Sequence, residues 1–177
     1  ALSVPRCISE CSGIRVFGRR IKSLVFSTDV AIIKNINADA IIAVYPFTPQ
    51  PAITQAIIGV SEVPVFCGVG GGLTNGVRSA SMAAYVEHQG AYGVVCNSKI
   101  GVETIHAIKD AVEIPVVYTV ISENTDIQPY LTAGVDIINV SGAARTPEIV
   151  GTLRQRYPEL PIIATGGPTE ESILATI

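Results

Sequence analysis

Tryptophan is absent from this 177-residue chain, methionine occurs once, and aromatic side chains make up only 6% of it. Any core it builds must therefore be aliphatic. Charge is scarce too: 12 Lys and Arg face 15 Asp and Glu, for a formal net charge of −3. That balance offers no basic footprint for nucleic acid or an anionic membrane. The one basic cluster, Arg15, Arg19, Arg20 and Lys22, reads as a solvated approach to the first main strand or a contact to a partner subunit. No apolar run reaches membrane-spanning length, and no basic-then-apolar leader opens the chain, so a cytoplasmic protein is expected. Histidine is nearly missing as well. His88 and His106 fall in predicted helices, so no Ser-His-Asp arrangement is visible. The four cysteines, Cys7, Cys11, Cys67 and Cys96, lack the spacing and co-ligands of a metal site and are expected as reduced thiols.

What is present is a rhythm. Apolar residues make up 48% of the chain and the mean hydropathy is +0.45. Short β-branched runs recur at Ser23–Phe26, Ala40–Tyr45, Val65–Cys67, Gly93–Cys96, Val116–Val120, Ile137–Val140 and Ile162–Ala164. Each is nearly free of charge, and a longer helix-like stretch follows it. Uncharged short strands alternating with helices describe a parallel sheet buried on both faces. Proline opens three strands in one phrase, Val63-Pro64-Val65, Ile114-Pro115-Val116 and Leu160-Pro161-Ile162. There it stops the preceding helix and removes no ladder donor. Such regular repetition predicts a (β/α)8 barrel rather than an open doubly wound sheet. The length suits one domain spanning 1–177. Seven βα units are visible and a closed barrel has eight. Either the N-terminal twenty residues supply the missing strand, or the chain is cut short of a C-terminal strand, or the barrel is open; the second is favoured.

Barrels of this class place their chemistry at the C-terminal ends of the strands. Counting alternation back from each end puts Ser27, Asp29, Tyr45, Cys67, Asn97, Ser98, Lys99, Thr119, Ser122, Glu123, Asn139, Ser141 and Thr165 around the mouth. Only Asp29, Lys99 and Glu123 among them are ionisable. Each also has a plainer reading: a helix cap, a solvated lysine, a loop acid. Two glycine turns follow late strands, Ser141-Gly142-Ala143 and Thr165-Gly166-Gly167. Glycine there either permits a tight turn or lets backbone amides approach an anion. The run Gly70-Gly71-Gly72 reads as an anion nest, a lid or a plain loop, and lacks the dinucleotide-binding spacing.

The segment Ile163-Ala164-Thr165-Gly166-Gly167 resembles the strand-seven motif of the phosphate-binding (β/α) barrels. That group includes 2-keto-3-deoxy-phosphogluconate aldolase, thiamin phosphate synthase and N-acetylmannosamine-6-phosphate epimerase. The phrases Gly90-Ala91-Tyr92-Gly93 and Ala133-Gly134-Val135-Asp136 are similar to a helix-to-strand phrase of the same group. The resemblance spans about 22–177 and implies a TIM-type barrel with a phosphorylated ligand, without implying a reaction. It departs from the aldolases, because no predicted strand interior holds a Schiff-base lysine.

Three functions follow as expectations. The first is a lyase or isomerase acting on a small phosphorylated metabolite through an enolate-like intermediate. Asp29 or Glu123 would move the proton, and Lys99 and Asn139 would stabilise the oxyanion. Ser141, Gly142, Ala143, Thr165, Gly166 and Gly167 would hold the phosphate, with Tyr45, Cys67, Gly70 and Asn97 also lining the mouth. The second is a hydrolase using the mouth carboxylates. The third is a non-catalytic regulator like the glycerol antiterminator proteins. No cofactor is required, although Asp29 and Glu123 with a phosphate form a weak candidate site for Mg²⁺. The aliphatic stretch Ser79–Val86 is explained equally well by a homo-oligomer interface or by helix-on-sheet packing.

Overall fold

The computed structural model describes residues 2–177. A 3₁₀ turn at Arg6–Glu10 precedes an antiparallel hairpin, β1 (Ile14–Val16) and β2 (Arg19–Ile21). Seven βα units follow: β3 (Leu24–Phe26) with α1 (Val30–Asn35), β4 (Ala40–Ala43) with α2 (Pro51–Val60), β5 (Val65–Gly70) with α3 (Val77–Gln89), and β6 (Gly93–Cys96) with α4 (Val102–Ala111). The last three are β7 (Val116–Val120) with α5 (Gln128–Ala133), β8 (Ile137–Val140) with α6 (Thr146–Arg156), and β9 (Ile162–Ala164) with α7 (Glu170–Leu174). Strands β3 to β9 form one seven-stranded sheet in sequence order, every neighbouring pair parallel. The predicted (β/α) barrel architecture is therefore present.

Alternation along the strands splits the apolar residues into two layers. Ala40, Ile42, Phe66, Val95, Val117, Ile137 and Ile163 form the inner cluster, and Ile14, Val16 and Ile21 of the hairpin join it. Their alternate neighbours, such as Ile41, Cys67, Val94, Cys96 and Ile138, pack outward with helix residues such as Ile57, Val86 and Ile105. This double burial is why the strands read as uninterrupted apolar runs.

The N-terminal residues do not supply an eighth strand. Phe17 (φ 49°) and Gly18 (φ 78°) make a two-residue turn with both central residues in the left-handed region. That geometry suits a hairpin and turns Arg19–Ile21 back on Ile14–Val16. Phe17 meets Tyr92, just before β6, edge to face with ring centroids 5.6 Å apart. The hairpin thus fills the barrel from the end where the strands start. Strands β3 and β9 remain edges, and a cavity of about 980 Å³ lies between them, lined by Leu24, Phe26, Ile162 and Thr165.

Carboxylates cluster at the strand starts, where they cap backbone amides. Asp39 Oδ2 accepts from the amides of Lys22 and Ser23 at 2.9 and 3.2 Å. Asp136 Oδ2 accepts from the Val116 amide at 2.8 Å and from Lys109 Nζ at 3.0 Å. Glu87 Oε2 accepts from Glu113 and Ile114 at 2.7 and 3.0 Å. Each ties one βα unit to the next, so these acids serve stability at the end opposite the mouth. They explain the helix-to-strand phrase ending in Asp136.

Cys67 and Cys96 are fully buried between sheet and helices. Burial pushes both thiols up to about 12, which keeps them neutral and inert at ordinary pH. No helix among the described residues is long and apolar enough to cross a membrane.

Candidate functional site

The C-terminal ends of β3 to β8 ring a cleft of about 650 Å³. Strand alternation puts Thr119 and Asn139 on its floor, one step above the apolar inner cluster. Asn139 is 2% exposed, and its Nδ2 donates to Thr119 Oγ1 at 3.3 Å. Its Oδ1 has no partner. Rotating the amide by 180° while the Thr119 hydroxyl reverses its role still leaves one polar atom of Asn139 without a partner. A buried polar atom without a partner costs about 1–3 kcal/mol, so such atoms are rare outside functional sites.

The wall beside it is Asn97, Ser98 and Lys99 at the end of β6. The Asn97 amide donates to Gly70 O at 3.0 Å, and its Oδ1 accepts from the Lys99 amide at 3.0 Å. The loop is held from behind by two stacked rings. Tyr118 and Tyr130 lie 3.9 Å apart between centroids, with planes 6° apart. Their hydroxyls donate to Ser98 O at 3.3 Å and Ile100 O at 2.8 Å. Burial raises the Tyr118 phenol above its usual range, so it stays a proton donor.

The glycine run has a steric reason. Gly70 and Gly71 have φ of 133° and 118°, and a Cβ on Gly71 would overlap the Asn97 side chain. Gly71 N also donates to Thr74 O at 2.7 Å. Gly71→Ala is expected to destabilise by about 1–3 kcal/mol through strained backbone and displaced Asn97. Gly59→Ala, in α2 where an added Cβ meets nothing, is the control and should stabilise slightly. Urea denaturation of both variants checks the opposite signs.

Several residues expected at the mouth lie elsewhere. Cys67 packs with Ile57, Met82 and Val86 on the helix side of β5, because Gly68 takes the inward position. Asp29 caps α1, its Oδ1 accepting from Ala31 and Ile32 at 2.9 and 3.3 Å, and it does not line the cleft. Glu123 is exposed and paired with Arg145, which also bonds Glu148. These acidic partners hold the Arg145 guanidinium above its ordinary pKa.

The two glycine turns diverge. Ser141 lines the cleft, while the Gly142 amide donates to Thr146 Oγ1 at 2.9 Å and Ala143 (φ 51°) starts a 3₁₀ turn. Thr165 and Gly166 line the seam cavity, and neither they nor Gly167 border the cleft. In helix α7 behind them the Thr169–Ser172 capping box engages the Thr169 and Ser172 amides, and Glu170 and Glu171 stand in the first turn. Those acids oppose an anion there.

Tyr45, Gly70, Asn97, Lys99, Asn139 and Ser141 do come together at the cleft. Sequence reading missed Phe26, Val44, Phe47 and Leu73, which also line it. For Phe47 and Leu73 the available signal was a large apolar residue stranded in a Pro-rich or Gly-rich loop; Phe26 and Val44 belong to the apolar strand runs themselves and gave no such signal.

Asp29 and Glu123 do not fit a magnesium site, since each carboxylate is engaged where it stands. No group of three or more His, Cys, Asp or Glu side chains among the described residues is placed to hold a metal.

No protein-family model and no curated protein matches the sequence. Solved structures do match in fold. Phosphonopyruvate hydrolase, in a complex with oxalate and Mg²⁺, aligns with a TM-score of 0.68 at 16% identity, over 89% of this chain and 72% of its own. A protein of Burkholderia cenocepacia J2315 assigned as a phosphonomutase gives 0.66 at 18% identity, over 86% and 82%. An aldolase gives 0.62 at 13%, over 87% and 83%. At such identities the likeness establishes the TIM-type barrel, and it does not extend to the particular phosphate-binding families that the strand-seven motif resembles.

Proposed function

We propose that the chain is a lyase or isomerase of the TIM-barrel type that handles a small anionic metabolite at this cleft through an enolate-like intermediate. The observation that carries the reading is Asn139, buried at the floor with an unpartnered polar atom, in a cleft whose lining includes one cation, Lys99. Lys99 would hold the anionic group. With its amide turned so that Oδ1 accepts from the Thr119 hydroxyl and Nδ2 takes the unpartnered position, Asn139, with Ser141 lining the same cleft, would donate to a carbonyl oxygen that gains charge as the adjacent C–H bond breaks. Fixed donors in a poorly solvated site stabilise such an oxyanion more than water does. Tyr45 and Lys99 are the titratable groups of the cleft; Lys99, as the cation, is already protonated and Tyr45 is a phenol, so the departing proton goes to solvent water in the cleft.

The acid group is read as a carboxylate. A phosphate would meet only Lys99 as a positive charge in the cleft, and the glycine turns expected to cradle it have a committed amide at Gly142 and acids beside Gly167. The barrel neighbours with oxalate bound or with aldolase chemistry agree with a small-acid substrate. The hydrolase alternative loses support because Asp29 and Glu123 stand outside the cleft.

Enolate formation has a general readout, which is exchange of the C3 protons of 2-keto acids into D₂O, followed by NMR. Protein-dependent exchange is expected with at least one member of a panel containing pyruvate, 2-oxobutyrate and oxaloacetate. Lys99→Ala should lower it about 100-fold or more, the scale of losing one electrostatic contact to the transition state. Binding of these acids with no exchange would mean a binding protein instead of an enzyme.

A further inference from the structure

The cleft is divided by the sheet order into two unlike halves. The wall from β6 to β8 is polar and carries Asn97, Lys99, Thr119, Asn139 and Ser141. The opposite wall, from β3, β4 and the loop after β5, is apolar: Phe26, Val44, Phe47 and Leu73. These four large side chains are exposed by 45, 43, 73 and 95% respectively. Scattered exposed apolar residues mean little, but a cluster of them rimming a polar cleft marks a binding surface. The apolar wall contains no Lys or Arg, and Lys99 gives the whole cleft one positive charge. A ligand that matches this has a single anionic head and an uncharged, apolar tail.

Building on the small-acid reading, we infer that the substrate class is monoanionic 2-keto or 2-hydroxy acids with an alkyl or aryl substituent. Sugar phosphates and dicarboxylates are disfavoured. The head lies toward Lys99 and Asn139, and the tail lies on Phe47 and Leu73. A second anionic group placed on the apolar wall would lose its hydration without meeting a cation. The loops carrying this wall are positioned for the purpose. The Tyr45 hydroxyl accepts from the Gln50 amide at 2.9 Å, which closes the Phe47 loop, and the positive-φ glycines turn Leu73 outward.

Calorimetric titration with a matched series tests this: pyruvate, 4-methyl-2-oxopentanoate, phenylpyruvate, oxaloacetate and 3-phosphonopyruvate. Phenylpyruvate and 4-methyl-2-oxopentanoate should bind about tenfold or more tighter than pyruvate, the usual discrimination a hydrophobic surface gives for added apolar groups. Oxaloacetate and 3-phosphonopyruvate should bind no tighter than pyruvate. The Phe47→Ala, Leu73→Ala double variant should bring phenylpyruvate to the pyruvate level and leave pyruvate unchanged. Both side chains are exposed, so the fold should survive. If 3-phosphonopyruvate or oxaloacetate binds best, or the double variant leaves phenylpyruvate unaffected, the tail assignment is wrong while the small-acid reading stands. If none of the five binds, the small-acid reading fails and the tail assignment with it.

Discussion

Asn139→Leu is expected to remove proton exchange and leave the fold intact or slightly more stable. Leucine is close to asparagine in size, and it would bring no polar atom to a position that is 2% exposed. The wild-type side chain gains one long hydrogen bond to Thr119 and leaves a second polar atom bare. Replacing a half-satisfied buried polar group with an apolar one of similar shape is nearly neutral or stabilising. Thr119 is only partly buried and can turn to water. Loss of a fixed donor to a developing oxyanion costs about 100- to 1,000-fold in turnover. The prediction therefore has two arms, kcat down and Tm unchanged or up, read by D₂O exchange and thermal unfolding. A Tm drop of several degrees with exchange preserved would make Asn139 a structural residue and remove the main support for the site. The trade of stability for function is the general reason such a residue persists inside a barrel.

Phe66→Ala should have the largest effect on stability. Phe66 is fully buried and is the bulkiest member of the inner cluster. It sits against Gly93 so closely that a Cβ there would come within 2.6 Å of its ring. The cavity left by alanine is surrounded by rigid strands and by the hairpin, so collapse is limited. The expected cost is about 3–5 kcal/mol. For a chain of this length that is a fall in Tm of about 10 °C, since each kcal/mol shifts Tm by about 2–4 °C. Gly93→Ala should act in the same direction by overpacking the same contact. Equilibrium urea unfolding measures both. A loss under about 1 kcal/mol for Phe66→Ala would mean the hairpin moves in to fill the space, and the inner cluster would then be far softer than its burial suggests.

Strand and helix positions were legible because they depend on local pattern. Five of the seven strand runs match within a residue, since a strand buried on both faces needs an unbroken apolar segment wherever it lies. Pro51 opens α2, and Gly90 and Gly134 close α3 and α5, because their backbone preferences act over one or two residues. Errors arose where the phase of a strand mattered. The sequence run ends at Cys67, but β5 runs on to Gly70, so Gly68 takes the inward position near the mouth and Cys67 faces the helices. The N-terminal hairpin was missed because Phe17-Gly18 is a weak turn signal and its strands are only three residues long.

The order of elements, the parallel sheet, the aliphatic core and the nearly uncharged mouth were determined by the sequence alone, because each follows from local periodicity or composition. Which carboxylates reach the mouth was decided only by tertiary structure. Asp29 and Glu123 stand near strand ends in sequence, yet a helix cap and an arginine claim them first. The division of the cleft into a polar and an apolar wall likewise depends on which loops the curled sheet brings face to face. Residues 47, 73, 99 and 139 line one cleft through the curl of the sheet, and no local pattern encodes that arrangement.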